Sequence, residues 1–114
     1  MAAAARRAAA AGSAVFKTYC AVCHGPMGRG DGPLAESLRF APPDLTRIAL
    51  RSRGKFSFDD VHRIVDGRNP LKGHGGPDMP VWGDAFLQSR EGYDREGVKK
   101  KIGEVVHYLA SIQE

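Results

Sequence analysis

Apolar residues recur at helical spacing in two parts of the chain. One set follows Ser57, at positions 58, 61, 64 and 65, with Gly67 placed to stop the helix. A longer stripe near the C-terminus repeats about every 3.6 residues, and Asp94 ahead of it is suited to cap a helix. The stripe consists of Val98, Ile102, Val105, Val106, Leu109 and Ile112. Both patterns predict amphipathic helices.

The remaining segments predict further helices separated by long loops. Alanine, the best helix former, dominates the stretch Ala2–Tyr19, which we expect to be helical. Residues 81–87 are expected to be helical too, and the Gly- and Pro-rich segments 25–33 and 69–80 to be loops. No segment alternates apolar and polar residues as a strand would. We therefore predict one all-α domain over residues 1–114, with residues 1–10 a poorly ordered or expression-derived extension of the first helix.

Composition adds a constraint on the core and on the partners. A chain of 114 residues buries only about two-thirds of its unfolded surface, so we expect a bound group to fill part of the interior. The net charge of +4 suits an acidic protein partner or an anionic membrane surface. Nucleic acid is not expected, because the basic residues are scattered apart from Lys99–Lys101, which we interpret as a solvated helix face. No segment approaches the ~20 apolar residues of a transmembrane helix.

The strongest chemical signal is the motif Cys20-Ala21-Val22-Cys23-His24. Two thiols three positions apart can each form a thioether with one vinyl group of a porphyrin, and His24 then reaches the iron. A thioredoxin-like redox pair would need a βαβ context, and a zinc site would need two more ligands. The motif therefore predicts one covalently attached c-type haem that uses both cysteines of the chain.

An electron-transfer haem usually has a second axial ligand, and five side chains could provide it. Met27 follows His24 too closely to reach the opposite face of the ring, at about 3.5 Å per residue. Met79 lies in a Gly/Pro-rich loop, and we favour a role as the iron ligand over a role as a gap-filling core residue. His74 in the same loop is the alternative, and bis-His ligation would lower the potential. The candidates are Met27, Met79, His62, His74 and His107, of which we interpret His62 and His107 as surface or packing residues.

The chain resembles the class I c-type cytochromes, a mono-haem family with His/Met ligation. The resemblance covers about residues 11–113 and is most specific in Cys20–Gly25, Gly30–Ala35 and Met79–Gly83. It implies a cytochrome c fold, in which three to five helices wrap one haem. It also implies the residue roles: thioether bonds at Cys20 and Cys23, with His24 as the proximal iron ligand and Met79 as the distal one.

The resemblance extends to the residues that support the haem. It implies that Gly12 and Phe16 of the first helix pack against Tyr108 of the last, where glycine lets the backbones approach closely. It also implies that the carbonyl of Pro33 accepts the Nδ1 proton of His24, with Pro26 as the less favoured alternative.

Two further residues are matched to the haem propionates. Family members often place Arg or Trp donors there, which suggests Arg68 and Trp82. The alternatives are a loop charge for Arg68 and a core aromatic for Trp82. The basic stretch at residues 45–56 departs from the shortest bacterial members, and we expect either a solvated loop or a docking patch.

These observations lead to the expectation of a soluble, monomeric one-electron carrier that is not an enzyme. Its partners would be redox proteins with acidic docking surfaces. Haem attachment to this motif takes place outside the cytoplasm, so we expect a periplasmic location and a precursor with a signal that this chain does not show. The alternatives are a haem subunit or domain of a larger oxidoreductase, and a peroxidase or gas-binding protein with a labile Met79.

Overall fold

The computed structural model describes residues 2–38, 41–68, 79–89 and 92–114, and every regular element in these ranges is helical. This confirms the all-α prediction. The described residues contain six α-helices, of which α2 and α3 are single turns of four residues, so four longer helices remain, within the predicted three to five. The helices are α1 (Ala2–Tyr19), α2 (Ala21–His24), α3 (Ile48–Arg51), α4 (Phe58–Asp66), α5 (Trp82–Leu87) and α6 (Arg95–Ser111), with 3₁₀ turns at Ala35–Ser37 and Leu45–Arg47.

The helix ends lie where the sequence signals predicted them. The Ser57 hydroxyl accepts a hydrogen bond of 3.2 Å from the amide of Asp60 at the start of α4. Gly67 ends α4 in the left-handed conformation, at φ 76°, which favours glycine. The Asp94 carboxylate accepts a bond of 2.8 Å from the amide of Gly97 and caps α6. Helix α1 begins at residue 2, so residues 2–10 belong to this helix.

Helices α1 and α6 cross with their backbones nearly touching. A Cβ atom placed on Gly12 would lie 1.8 Å from the carbonyl oxygen of Glu104, so only glycine fits there. One turn further along α1, Phe16 is 1% exposed and packs on Tyr108 with ring centroids 5.2 Å apart. Both contacts confirm the predicted packing of the first helix against the last.

The core lies along the apolar stripe of α6. Five stripe residues are buried, and Ile112 at the end of the helix is partly buried. Val61 and Val65 of α4 belong to the same buried cluster as this stripe. Phe58 does not join them: it is the first residue of α4, is 46% exposed, and lies beside His107 with ring centroids 5.1 Å apart. The buried stripe residues are Val98, Ile102, Val105, Val106 and Leu109.

The basic stretch at residues 45–56 folds as a 3₁₀ turn followed by α3. Its four basic side chains are exposed, while Thr46 within it is 3% exposed. Within the ranges that the structure describes, no helix combines the length and the apolar character that crossing a bilayer requires. The four basic residues are Arg47, Arg51, Arg53 and Lys55.

Candidate haem-binding site

The two cysteines lie on one helical turn that directly follows α1. The amide of Cys20 donates to the carbonyl of Phe16 at 2.8 Å, and the amide of His24 donates to the carbonyl of Cys20 at 2.9 Å. Residues three apart on a helix share a face, so the thiols of Cys20 and Cys23 project on one side. Both cysteines are free and partly buried. The turn thus presents two thiols and an imidazole as one unit.

The surroundings of Cys20 fit a thiol that is not in use as a redox group. Burial raises the pKa of the Cys20 thiol to about 12, and the nearby Cys23 adds to the rise. A catalytic cysteine needs a lowered pKa, because the thiolate is the reactive form. In the described part of the chain, no three His, Cys, Asp or Glu side chains are grouped so as to hold a metal ion. The environment therefore disfavours both a redox pair and a zinc site.

The His24 ring is partly buried and incompletely partnered. Burial lowers its pKa, and the carbonyl of Pro43 partly offsets this effect. The Nδ1 atom is buried and has no hydrogen-bond partner. A neutral imidazole is the form that binds metal ions, and a buried Nδ1–H normally donates to a carbonyl when the other nitrogen is a ligand. The ring therefore fits the role of a haem-iron ligand.

The carbonyl beside His24 belongs to Pro43 and not to the predicted Pro33. Hydrogen bonds from Gly32 to the Cys23 carbonyl (3.1 Å) and from Leu34 to the Val22 carbonyl (2.8 Å) hold Pro33 along the backbone of α2. Pro33 is exposed there. One signal in the sequence could have indicated Pro43: it belongs to a pair of prolines that directly precedes Asp44, a residue suited to cap a turn.

The segment that carries Pro43 is bound to the loop after the haem motif. The amide of Leu45 donates to the carbonyl of Gly28 at 2.6 Å. A Cβ on Gly30 would lie 2.6 Å from the carbonyl oxygen of Pro42, so these two stretches of chain are in close contact. Through this contact the Pro43 carbonyl lies close to the His24 ring.

Arg68, predicted as a propionate donor, is paired with a carboxylate of its own helix end. Its Nε and Nη2 atoms each donate a bond of 2.8 Å to Asp66. The pair lies over Gly83, where a Cβ would be 2.3 Å from the Arg68 Nε atom. It borders a surface cavity of about 300 Å³ that His62 and Arg63 also line. The propionate role of Arg68 stays a prediction.

The Asp66–Arg68 pair makes stability depend on pH. The hydrogen bond from Arg68 lowers the pKa of Asp66 below its ordinary value of 3.8. The pair therefore stabilises the fold above that ordinary value and is lost as pH falls through the lowered one. We expect Asp66→Asn to lower the urea midpoint at pH 7, and the loss to shrink as the pH falls from 3.8 through the lowered pKa. The exposed control Glu36→Gln should leave the midpoint unchanged across this range, and a loss in Asp66→Asn that does not shrink at acidic pH would contradict the prediction.

Trp82 occupies the position expected of a core aromatic next to the haem motif. Its ring lies 5.5 Å from that of Tyr19, which directly precedes Cys20, and 5.5 Å from that of Phe86. Trp82 is partly buried. A role toward a propionate stays a prediction for this residue as well.

The predicted distal ligand lies at the edge of the described residues. Met79 is partly buried, and two residues later the Val81 Cα atom lies 3.2 Å from where a Cβ of Gly67 would be. The alternative ligand His74 falls outside the described residues. Met27, which is excluded as a ligand by its short distance from His24 along the chain, is 64% exposed.

Lys101 is not part of the solvated helix face that the sequence predicted. Its ammonium lies 4.6 Å from the centroid of the Tyr93 ring and donates a bond of 2.9 Å to the Tyr93 hydroxyl. It also lies within 5.4 Å of the ring centroids of Tyr19 and Phe86. Cation–π contacts of this kind stabilise partly buried ammonium groups. Lys99 and Lys100 are exposed, as predicted.

Comparison with known families agrees with the site geometry. The family model for cytochrome c matches residues 9–113, nearly the whole chain. The chain therefore belongs to the cytochrome c family, and its helical fold is consistent with the fold of that family. No curated protein and no solved structure matches it. Family membership supports haem as the cofactor and haem-based electron transfer as the general function.

Proposed function

We propose that this protein is a one-electron carrier with one haem c attached through Cys20 and Cys23. His24 and Met79 would be the axial ligands, and no substrate is transformed. The observation that carries the proposal is the turn Cys20–His24, where two free thiols share a face and the imidazole has a buried, unpaired Nδ1. When bound, the haem supplies an iron that takes up and releases one electron.

The residues around the site hold the ligands and exclude reactants. The turn of α2, which directly follows α1, would fix the positions of both thiols and His24. The Pro43 carbonyl is placed to accept the Nδ1 proton and to set the tautomer and angle of the His24 ring. Met79 would close the opposite face, so that no coordination position is open to a substrate. Two ligands that stay bound keep the rearrangement on electron transfer small.

The surface suits brief encounters with acidic redox partners. The net charge is +4, and the exposed basic residues include Arg47, Arg51, Arg53, Lys99 and Lys100. Such a field speeds association with acidic surfaces and weakens at high salt. We propose a monomeric single domain at an extracytoplasmic location, most simply the periplasm, where haem attachment to this motif takes place.

The ligand set is tested by Met79→Ala, with Met27→Ala as a matched control at a position 64% exposed. Wild-type oxidised protein should show the sulfur-to-iron charge-transfer band of a Met ligand. Met79→Ala should lose the band, and its potential should fall by at least about 60 mV, a tenfold change for a one-electron couple, because a Met ligand raises the potential. Met27→Ala should match the wild type in both spectrum and potential.

Two results would contradict this proposal. An unchanged spectrum in Met79→Ala would remove Met79 as a ligand and favour His74. A high-spin spectrum in the oxidised wild type would indicate an open coordination position, and the function would then be peroxidase-like or gas-binding.

A further inference from the structure

The C-terminal tail is bound to the segment that follows Pro43. The side-chain amide nitrogen of Gln113 donates to the carbonyls of Leu45 (2.7 Å) and Leu109 (2.8 Å). Its amide oxygen accepts from the backbone amide of Ala49 at 2.9 Å. Both N–H groups and the oxygen of this partly buried side chain are therefore used. Gln113 links the end of α6 to both ends of the 45–49 segment.

A second residue of the tail extends the contact to the loop after the haem motif. The backbone amide of Glu114 donates to the carbonyl of Thr46 at 2.8 Å, and its carboxylate pairs with Arg29. Leu45 in turn donates to Gly28. The Arg29–Glu114 pair is exposed, so it contributes little on its own. The partly buried bonds of Gln113 carry more of this attachment.

These contacts determine where Pro43 can lie. The Asp44 carboxylate accepts a bond of 2.9 Å from the amide of Thr46, which ties the residue after Pro43 to the anchored segment. On the other side, the Pro42 carbonyl is in close contact with Gly30. Pro43 is thus held between two anchored points, and one of them depends on the tail.

We propose that Gln113 is a positioning residue for the proximal ligand: by anchoring residues 45–49 it keeps the Pro43 carbonyl beside the His24 ring, where it can accept the Nδ1 proton. The proposal rests on the proposed haem function. Gln113 itself does not touch the ligand ring. Its effect reaches His24 through the backbone between Pro43 and Leu45.

The test compares the holoprotein of Gln113→Met, which keeps the size but makes no hydrogen bonds, with wild type. The control is Gln88→Met, at an exposed glutamine whose side chain makes no described hydrogen bond. In the holoprotein, a hydrogen bond from Nδ1 to the Pro43 carbonyl would make the imidazole a stronger donor to the oxidised iron. The reduction potential of Gln113→Met should therefore rise, and exchange of the His24 Nδ1 proton, followed by NMR in the reduced state, should accelerate about tenfold. Gln88→Met should change neither quantity.

The outcomes separate a positioning role from a purely structural one. A lower melting temperature with unchanged potential and unchanged proton exchange would overturn the proposal. If Gln113→Met accumulates no holoprotein, Gln113→Glu supplies the measurement, because it keeps the acceptor for Ala49 and loses the donor to Leu45. Haem staining of the wild type on a denaturing gel comes first: a negative stain would overturn the proposed function, and this proposal with it.

Discussion

Replacing Gly12 by valine is expected to destabilise the protein by at least about 3 kcal/mol and to lower the yield of haem-loaded protein. The ideal Cβ position at Gly12 lies 1.8 Å from the carbonyl oxygen of Glu104 and 2.9 Å from the amide nitrogen of Val105. These neighbours are backbone atoms of α6 and cannot rotate away, so the two helices must separate. Separation would open the contact between Phe16 and Tyr108 one turn further on. Urea unfolding followed by far-UV circular dichroism measures the loss.

Gly103 provides a matched control one helix away. It also lies inside a helix, α6, but a Cβ placed there meets no atom within 4 Å. Gly103→Ala should therefore stabilise the protein by about 0.5–1 kcal/mol, since alanine is the better helix former. Similar effects of Gly12→Val and Gly103→Ala would show that the crossing of α1 and α6 does not require glycine.

The second large effect is expected on removal of the haem. A chain with Cys20→Ala and Cys23→Ala, which cannot attach the haem, should lose most of its far-UV helical signal and its cooperative thermal transition. The described residues bury nine hydrophobic side chains, and a chain of 114 residues buries only about two-thirds of its unfolded surface. The Nδ1 atom of His24 is also buried without a hydrogen-bond partner, and an unsatisfied buried polar atom lowers the free energy of unfolding. Circular dichroism of the purified double variant, together with a thermal melt, gives the measurement.

The Met79→Ala holoprotein is the control for haem removal, because it keeps the covalent attachment and changes only one proposed ligand. It should retain the helical signal and a cooperative transition at a lower temperature. A native-like spectrum with a cooperative melt in the cysteine-free chain would contradict the prediction. The helices would then be stable without the haem.

Helix positions and the attachment motif were predictable because they depend on short stretches of chain. The Ser57 and Asp94 caps and the left-handed Gly67 each act within one turn of the helix they limit. The Cys20–His24 motif likewise brings its groups together within a single turn. Local signals failed where a side chain sits at a helix end, as with the exposed Phe58.

The carbonyl beside His24 could not be identified in the same way. The carbonyls of Pro33 and Pro43 could both reach the His24 ring by distance along the chain. Which of them does so depends on which loop packs against the ring. Hydrogen bonds of Gly32 and Leu34 hold Pro33 along α2, while the bond from Leu45 to Gly28 brings the other loop in. The packing of Lys101 among aromatic rings is non-local for the same reason, since Tyr19 is far away in the sequence.

The sequence by itself determined the helices, the small core and the covalent haem motif, because periodicity, capping and a five-residue motif are local properties. Only the tertiary structure decided that Pro43 faces His24 and that Gln113 anchors the segment behind it. Those contacts join residues far apart in the chain, and their geometry follows from the crossing of α1 and α6 and from the loops that pack beside it. The local motif predicts the haem, whereas long-range hydrogen bonds position the ligand that we propose holds its iron.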